Sequence, residues 1–256
     1  ALPISLHTEG RLSPAFSMQW RCLQDFRLRF GYKDIFRTPT LNELYYTGIG
    51  NRHLNPEKSR LWNLGATYSH TFNRTLQFSL TADGYLGNVT DKIIAVPKMF
   101  YWQMMNAGKV RQLGLDVSAN IEKRWGNDWT VSATGSYSYL SATDRTDPSE
   151  LSYGDQIAYT PHHSGSANIL IHSPWLDFGY NILLMGERYT LGYNIPHNRM
   201  SGFTDHSITL SREFNINKQQ LRVQFDVRNL GNKNYEVVRF YPMPGTNWRL
   251  SVSWEL

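Results

Sequence analysis

Apolar residues fall at every second position in segment after segment of this chain. In Trp248-Arg249-Leu250-Ser251-Val252-Ser253-Trp254-Glu255-Leu256 the alternation runs to the last residue. Leu221, Val223, Phe225 and Val227 alternate with Arg222, Gln224, Asp226 and Arg228. Leu113, Leu115, Val117, Ala119 and Ile121 alternate with Gln112, Gly114, Asp116, Ser118 and Asn120, and Phe26, Leu28 and Phe30 with Arg27, Arg29 and Gly31. Successive side chains of a strand point to opposite faces, so a period of two predicts strands with one apolar and one wet face. That pattern suits either a water-soluble sandwich or a membrane barrel, and the turns must decide.

Clusters of Gly, Asn, Asp and Pro divide the chain into about eleven strands. Short links fall near residues 23–25, 71–74, 126–128, 173–174 and 215–218, and longer ones near 36–56, 97–106, 143–156, 187–202 and 232–245. The two kinds alternate strictly. This is the order expected of an all-β, antiparallel up-and-down transmembrane β-barrel with tight periplasmic turns and long outer loops. A Greek-key sandwich has no reason to sort its loops so. Trp20, Trp125, Trp129 and Trp175 sit close to short turns, as an aromatic girdle at one membrane face requires. The last strand then ends on the periplasmic side, and an odd count places the chain's beginning on the outer side. Bacterial single-chain barrels have even strand counts, so a part of a larger barrel is expected.

Composition narrows the field further. Among 256 residues there are 15 Tyr and 8 Trp, an aromatic excess suited to rings lining a membrane interface. No apolar run approaches the roughly 18–20 residues a membrane helix needs, which excludes a helical membrane protein. The net charge of +5 is spread along the chain without the basic stripe of a nucleic-acid surface. The single cysteine, Cys22, can form no internal disulfide and reads as a packing residue. Ala1-Leu2-Pro3-Ile4 carries no export signal, so either a signal has been removed or the chain is a piece of something longer. No nucleophile elbow or ordered acid–base set is present, so no enzyme is expected.

Two linked motifs carry a family resemblance. Phe36-Arg37-Thr38-Pro39-Thr40-Leu41-Asn42-Glu43-Leu44-Tyr45, followed by Gly50-Asn51-Arg52-His53-Leu54-Asn55-Pro56-Glu57-Lys58-Ser59, resembles the paired barrel signature of TonB-dependent outer-membrane receptors. Asn229-Leu230-Gly231-Asn232-Lys233-Asn234-Tyr235 and Tyr241-Pro242-Met243-Pro244-Gly245 are similar to the family's penultimate-strand and closing-loop signatures. The resemblance spans essentially the whole chain. It implies that residues 1–256 are the C-terminal portion of a barrel domain, resembling strands 12 to 22 of a 22-stranded barrel. The family's N-terminal plug and TonB box are not among these residues. The first ten or so residues would belong to an outer loop, and Leu256 departs from the aromatic last residue common in outer-membrane proteins.

The resemblance also assigns roles. Phe36, Arg37, Pro39, Thr40, Glu43, Leu44, Asn51, Leu54, Pro56 and Glu57 match the signature and are expected to be structural. Pro39 and Pro56 would fix the backbone, and Arg37 could pair with Glu43 or Glu57. Arg27, Arg29, Asp116, Arg222, Asp226, Arg228, Arg249 and Glu255 would face the polar lumen, since hydrocarbon would reject them. The family takes up scarce, large ligands such as iron chelates, cobalamin or haem. The expected function is therefore active transport of siderophore-iron or cobalamin through the outer membrane of a Gram-negative bacterium. The implied partners are the TonB complex, reached through the plug, a small-molecule chelate or corrinoid, and membrane lipid, but no nucleic acid. A passive porin or adhesin barrel, a haem receptor and a carbohydrate-binding sandwich are the alternatives.

Ligand contact is expected in the segment Met99 to Met105, chiefly at Tyr101, Trp102, Met104 and Met105, because aromatic and thioether groups stack on and adapt to a macrocycle or catecholate. Tyr193 and Tyr241 are further candidates, with Tyr189 and Phe240 beside them. Haem would need an axial ligand, for which His53 is the first candidate and His162, His163 and His197 weaker ones. Asp144, Asp147, Glu150 and Asp155 lack EF-hand spacing and read as a solvated acidic loop, so no metal and no cofactor is expected. A half-barrel by itself would leave two strand edges unpaired in lipid, and is expected neither to transport nor to stay monomeric.

Overall fold

The computed structural model describes residues 12–97, 100–106, 108–126, 128–216 and 219–255. The expectations for residues 1–11, for Met99, for the far end of the 215–218 turn and for Leu256 lie outside the described residues. In chain order the strands are β1 (Ala15–Leu23), β2 (Phe26–Arg37), β3 (Glu57–Phe72), β4 (Leu76–Thr90), β5 (Ile93–Pro97), β6 (Trp102–Asn106), β7 (Lys109–Trp125), β8 (Trp129–Asp144) and β9 (His163–His172). They continue as β10 (Asp177–Met185), β11 (Arg188–Tyr189), β12 (Arg199–Met200), β13 (Phe203–Ile216), β14 (Gln219–Arg228), β15 (Glu236–Val238), β16 (Tyr241–Pro242) and β17 (Asn247–Glu255). Among the described residues one short α-helix, α1 (Leu41–Tyr45), sits in the first long loop, and a 3-10 turn spans Pro196–Asn198.

Eleven strands form one sheet in the order β1-β2-β3-β4-β7-β8-β9-β10-β13-β14-β17, each antiparallel to its neighbours. This is the predicted meander. The sheet is open, with β1 and β17 as its two edges. The six remaining strands pair in three ribbons, β5 with β6, β11 with β12 and β15 with β16, each inside a long outer loop. Three of the long connections therefore carry their own paired backbone.

The period of two becomes two chemically distinct faces. Directly opposed residues across seven strands run Met18, Phe30, Leu64, Gly84, Leu115, Tyr139 and His163 on one face. Farther along, Val131, Ile171, Phe178, Leu210, Phe225 and Leu250 continue that apolar surface. It is exposed, with Leu64 and Val252 each 62% accessible, the reverse of a water-soluble sheet and the arrangement a lipid-facing wall needs. Trp20, Trp125, Trp129 and Trp175 all stand exposed near short turns, and Trp129 meets Trp175 edge to face at 5.7 Å.

The opposite face is a ladder of charge and hydroxyl. Arg29, Gly65, Asp83, Asp116, Ser138 and Ser164 are successive partners across it. Arg29 reaches over Gly65 and donates to both carboxylate oxygens of Asp83 at 2.9 Å, with Thr67 Oγ1 accepting a further bond at 3.0 Å. A Cβ on Gly65 would lie 2.0 Å from Asp83 Oδ1, so glycine there is what lets the pair close. At the other end of the sheet, Asp226 accepts from Thr209 at 2.8 Å, Gln224 at 2.9 Å and Arg249 at 2.9 Å. The eight charged residues assigned to the lumen from sequence all lie on this face. Cys22 is half-buried, the one residue of β1 that is not exposed.

The two faces predict opposite responses to charge. Leu115→Arg, in the middle of β7 on the apolar face, is expected to destabilise the protein in phospholipid vesicles by about 2–4 kcal/mol. Ser118→Lys, on the polar face of the same strand, should change stability by less than about 0.5 kcal/mol. Denaturant titration of the bilayer-inserted protein measures both, and equal costs would sink the assignment of faces.

The outer-loop clasp and the candidate ligand surface

The first long loop is built around Arg37 at the end of β2. Its Nη1 donates to both Glu43 oxygens at 2.9 and 3.0 Å, and Nη2 donates to Glu57 Oε2 at 3.1 Å. One guanidinium therefore ties β2, α1 and the start of β3 together, the bidentate geometry arginine supplies and lysine cannot. Thr40 and Glu43 form a capping box: Thr40 Oγ1 accepts from the Glu43 N–H at 3.3 Å, and the Thr40 N–H donates to Glu43 Oε2 at 2.7 Å. Burial pushes the Glu43 carboxyl up, but the bonds from Thr40 and Arg37 outweigh it and hold the group below its ordinary pKa. Arg37 is raised despite its own burial, because Glu43 and Glu57 favour the charged form.

The second half of the signature holds the β5–β6 ribbon. Glu57 Oε2 also accepts the Ile93 N–H at 3.2 Å, and beside it burial lowers the Lys92 pKa against the pull of Glu57. The Asn51 N–H donates to Glu43 O at 2.8 Å, while Asn51 Nδ2 donates to Met104 O at 3.1 Å and the Met104 N–H to Ile49 O at 2.9 Å. Asn55 and Asn106 exchange two bonds, and Asn106 Nδ2 reaches Asp91 O at 2.6 Å as well. Leu54 is buried and Leu44, Phe36 and Pro39 are half-buried around this network. Pro56 stands immediately before β3.

The signature residues and the aromatic segment, read from sequence as separate features, are thus one unit. Within the ribbon, the period of two divides the ligand candidates. Trp102 and Met104 share a face with Asn106, whereas Met105 lies on the other. Trp102 contacts the Tyr159 ring at 5.9 Å, and Phe100 and Tyr101 project at the tip. Tyr193 and Tyr241 are exposed on two other loops, and among the described residues no ring contact joins either to the ribbon.

His53 is exposed, and its backbone N–H donates to Asn51 Oδ1 at 2.9 Å. Among the described residues, no group of three or more His, Cys, Asp or Glu could hold a metal ion. The acidic loop is occupied by its own turns. Asp144 accepts the Thr146 N–H at 2.8 Å and Ser152 Oγ at 3.1 Å, and Asp155 accepts the Asn194 N–H at 2.9 Å. Asp147 accepts from the Ser149 N–H and hydroxyl, which lowers its pKa.

Of three residues central to the loops, one was seen in the sequence only as part of a signature and two went unread. Asn229 holds a left-handed φ of 50°, and its side chain bonds Lys233 and the Pro244 carbonyl, closing the last long loop. Gln156 is buried and bridges β8 to the following loop through the Ala142 N–H and the Leu140 and Thr160 carbonyls. Arg188 is buried against Phe203 and donates to the Glu236 and Val237 carbonyls. The capping box was not read as such, although its Thr40-x-x-Glu43 spacing stands in the sequence; Arg188 had no local signal.

An antiparallel meander with an exposed apolar face, an aromatic rim by the short turns and structured loops at the other end defines the wall of an outer-membrane β-barrel. A family model described as "TonB dependent receptor-like, beta-barrel" matches residues 5–230, and the chain belongs to that family. Its members are transport receptors, not enzymes, in the outer membrane of Gram-negative bacteria. Among solved structures, the ferric citrate transporter FecA superposes with a TM-score of 0.69 at 19% identity over 95% of this chain and 38% of its own. The copper transporter OprC gives 0.68 at 17% over 95% and 39%, and the FrpB iron transporter from Neisseria meningitidis 0.63 at 19% over 94% and 39%. The chain therefore spans less than two fifths of the length of each of these proteins.

Arg37→Gln should release both carboxylates, at a cost of about 1–2 kcal/mol once partial exposure is allowed for. Amide exchange in residues 40–51 is expected to quicken with it. Because the Glu43 carboxyl is held below its ordinary pKa, its contribution is complete above about pH 4.5 and fades as pH falls through the lowered value. Exchange of the same amides measured from pH 6 downward should show this loosening in the wild type and not in Glu43→Gln.

Proposed function

We propose that this chain is the C-terminal half of a receptor barrel that imports a scarce, large ligand, a siderophore–iron complex or cobalamin, with energy delivered through TonB by way of a plug. The observation that carries the reading is the clasp. It fixes a ribbon bearing Trp102, Met104 and Met105, with Tyr101 at its tip, on the outer end of a wall whose inner face is a charged ladder. Rigid aromatics supply contact area at small entropic cost, and thioethers adapt to irregular ligands. The solved relatives are named for copper, iron and ferric citrate, which favours a metal chelate over a corrinoid. Among the described residues both sheet edges present unpaired backbone to lipid, so further strands must cover β1 and β17 for the wall to stand in a membrane.

Uptake of radiolabelled ferric siderophores and of cobalamin by cells carrying the complete receptor tests this. Transport is expected for one of them and should vanish when TonB is deleted. Undiminished uptake without TonB would favour a passive pore. Trp102→Ala and Tyr101→Ala should each weaken binding of the transported ligand by about tenfold while leaving the amount of folded receptor unchanged.

A further inference from the structure

Above the apolar band, the outward face of the wall changes character on one side only. From the row of Leu64, Gly84, Leu115 and Tyr139, the next opposed row toward the long loops is Trp62, Leu86, Leu113 and Ser141. The two rows beyond it carry charge. Asp34, Arg60, Asn88, Arg111 and Thr143 are successive partners, and one step higher stand Phe36, Lys58, Thr90 and Lys109. These registers run without a shift, so all of these residues lie on the face that bears Leu64. Neighbouring strands are about 4.8 Å apart and alternate residues about 6.7 Å, so Lys58, Arg60, Lys109 and Arg111 mark the corners of a frame about 10 Å wide and 7 Å tall. Asn88 and Thr90 fill its middle. Arg111 lies fourteen residues along β7 from the girdle residue Trp125. At about 3.3 Å per residue and a tilt of about 40°, that is about 35 Å of height, beyond the apolar band of about 25 Å and level with lipid head groups. Trp62, whose ring meets Tyr32 at 4.4 Å, marks the upper interface just beneath.

Lys58, Lys109 and Arg111 are exposed, and among the described residues none of them makes an ion pair. The Arg60 side chain is 68% exposed and lies 3.5 Å from Asp34, the one carboxylate on the outward positions of these two rows. Four cations therefore face one anion on this surface. The carboxylates of the clasp keep their charge as well, and Arg37 and Lys92 beside them match Glu43 and Glu57 two for two. The acidic loop follows β8, outside the frame, with Arg145 laid over Tyr153 at its root. Elsewhere the rim carries no such surface. At the outer ends of β9, β10, β13, β14 and β17 the outward positions are His163, Leu184, Thr204, Val227 and Trp248, with no lysine or arginine among them. At the short-turn end Lys123 and Arg212 each lie over a ring of their own strand, Trp125 at 5.7 Å and Phe214 at 4.9 Å.

We propose that Lys58, Arg60, Lys109 and Arg111 hold the phosphate groups of a phosphorylated lipid of the outer leaflet, whose acyl chains lie on Trp62, Leu86 and Leu113 directly below. Cations at head-group depth over exposed hydrocarbon match a molecule with an anionic head and apolar tails. A free phosphate would use only the upper half of that surface. The proposal requires the sheet to stand in the outer membrane and does not require the import reading.

Radiolabelled lipid A, with both phosphates or with none, is added in mixed micelles to the complete receptor in neutral detergent, and the bound fraction is measured after gel filtration, with pyrophosphate as competitor. The phosphorylated lipid is expected to bind at least about tenfold more tightly than the stripped one, and less tightly as salt rises. Lys58→Gln, Lys109→Gln and Arg111→Gln together, which leave the Arg60–Asp34 pair intact, should weaken that binding by about tenfold or more. Lys123→Gln with Arg212→Gln, which removes the same sign of charge at the other margin, should change it by no more than about twofold. An unchanged melting temperature shows the triple variant to be folded; Lys109→Gln alone, expected to cost about threefold, takes its place otherwise. The lipid site is overturned if the stripped lipid binds as well, if the frame variants bind like wild type, or if the control pair weakens binding as much. Displacement by pyrophosphate at the lipid's own concentration would make this a free-phosphate site and overturn it too. Uptake is not read in this assay, so this proposal and the import reading stand or fall separately.

Discussion

The structure depends on one constraint: inside hydrocarbon, every backbone N–H and C=O must find a protein partner. The response is an unbroken antiparallel ladder from β1 to β17, in which most strands are far longer than the few residues a soluble sheet uses. Everything else is fitted around that ladder. A one-residue slip anywhere would turn Arg29 or Asp226 into lipid and Leu64 or Leu250 into the lumen, so the side-chain pattern locks the register that the backbone requires. Gly65 shows how closely the two are joined, because its missing side chain is the space through which Arg29 and Asp83 meet.

Because the wall is fixed, the outer loops can be elaborate. They are not free strings. The signature is a clasp in which Arg37, Glu43, Glu57 and the asparagines 51, 55 and 106 hold a two-stranded ribbon against the barrel rim. Beyond it, Trp102 meets Tyr159, the Tyr159 N–H bonds the Tyr189 carbonyl at 2.7 Å, and the neighbouring Arg188 lies over Phe203, on which Tyr235 stacks. Four loops are joined in one line of contacts. A ligand touching the aromatic ribbon therefore meets a surface whose geometry is shared with the loop that carries Tyr235.

The wall was legible because its physics is local: residue i decides the face of residue i+2, and Gly, Asn and Asp mark the turns. The order of short and long connections, the two faces and the girdle tryptophans could all be read from spacing. What spacing cannot supply is which distant residue stands opposite. Arg29 and Asp83 are on the same face by parity, but their pairing follows from two registers in series. The ribbons escaped because two to five residues carry too little periodicity to register. Arg188 escaped for a different reason: arginine is ordinarily a surface residue, and only the converging loops bury it. The split of Trp102 and Met104 from Met105 follows the same rule as the wall, but could be applied only once β6 was known to be a strand.

The eleven-stranded order also fixes a direction at each margin. β1 and β17 both run from the long-loop end to the short-turn end, since an odd meander begins and finishes in the same sense. Two copies of this sheet inserted the same way up would meet only along like-directed strands, and the antiparallel pattern could not continue across the seam. Complementation thus has a handedness in travel rather than in shape. Whatever closes this wall must offer a strand ascending toward the outer surface at each margin, which makes the sheet unable to serve as its own other half.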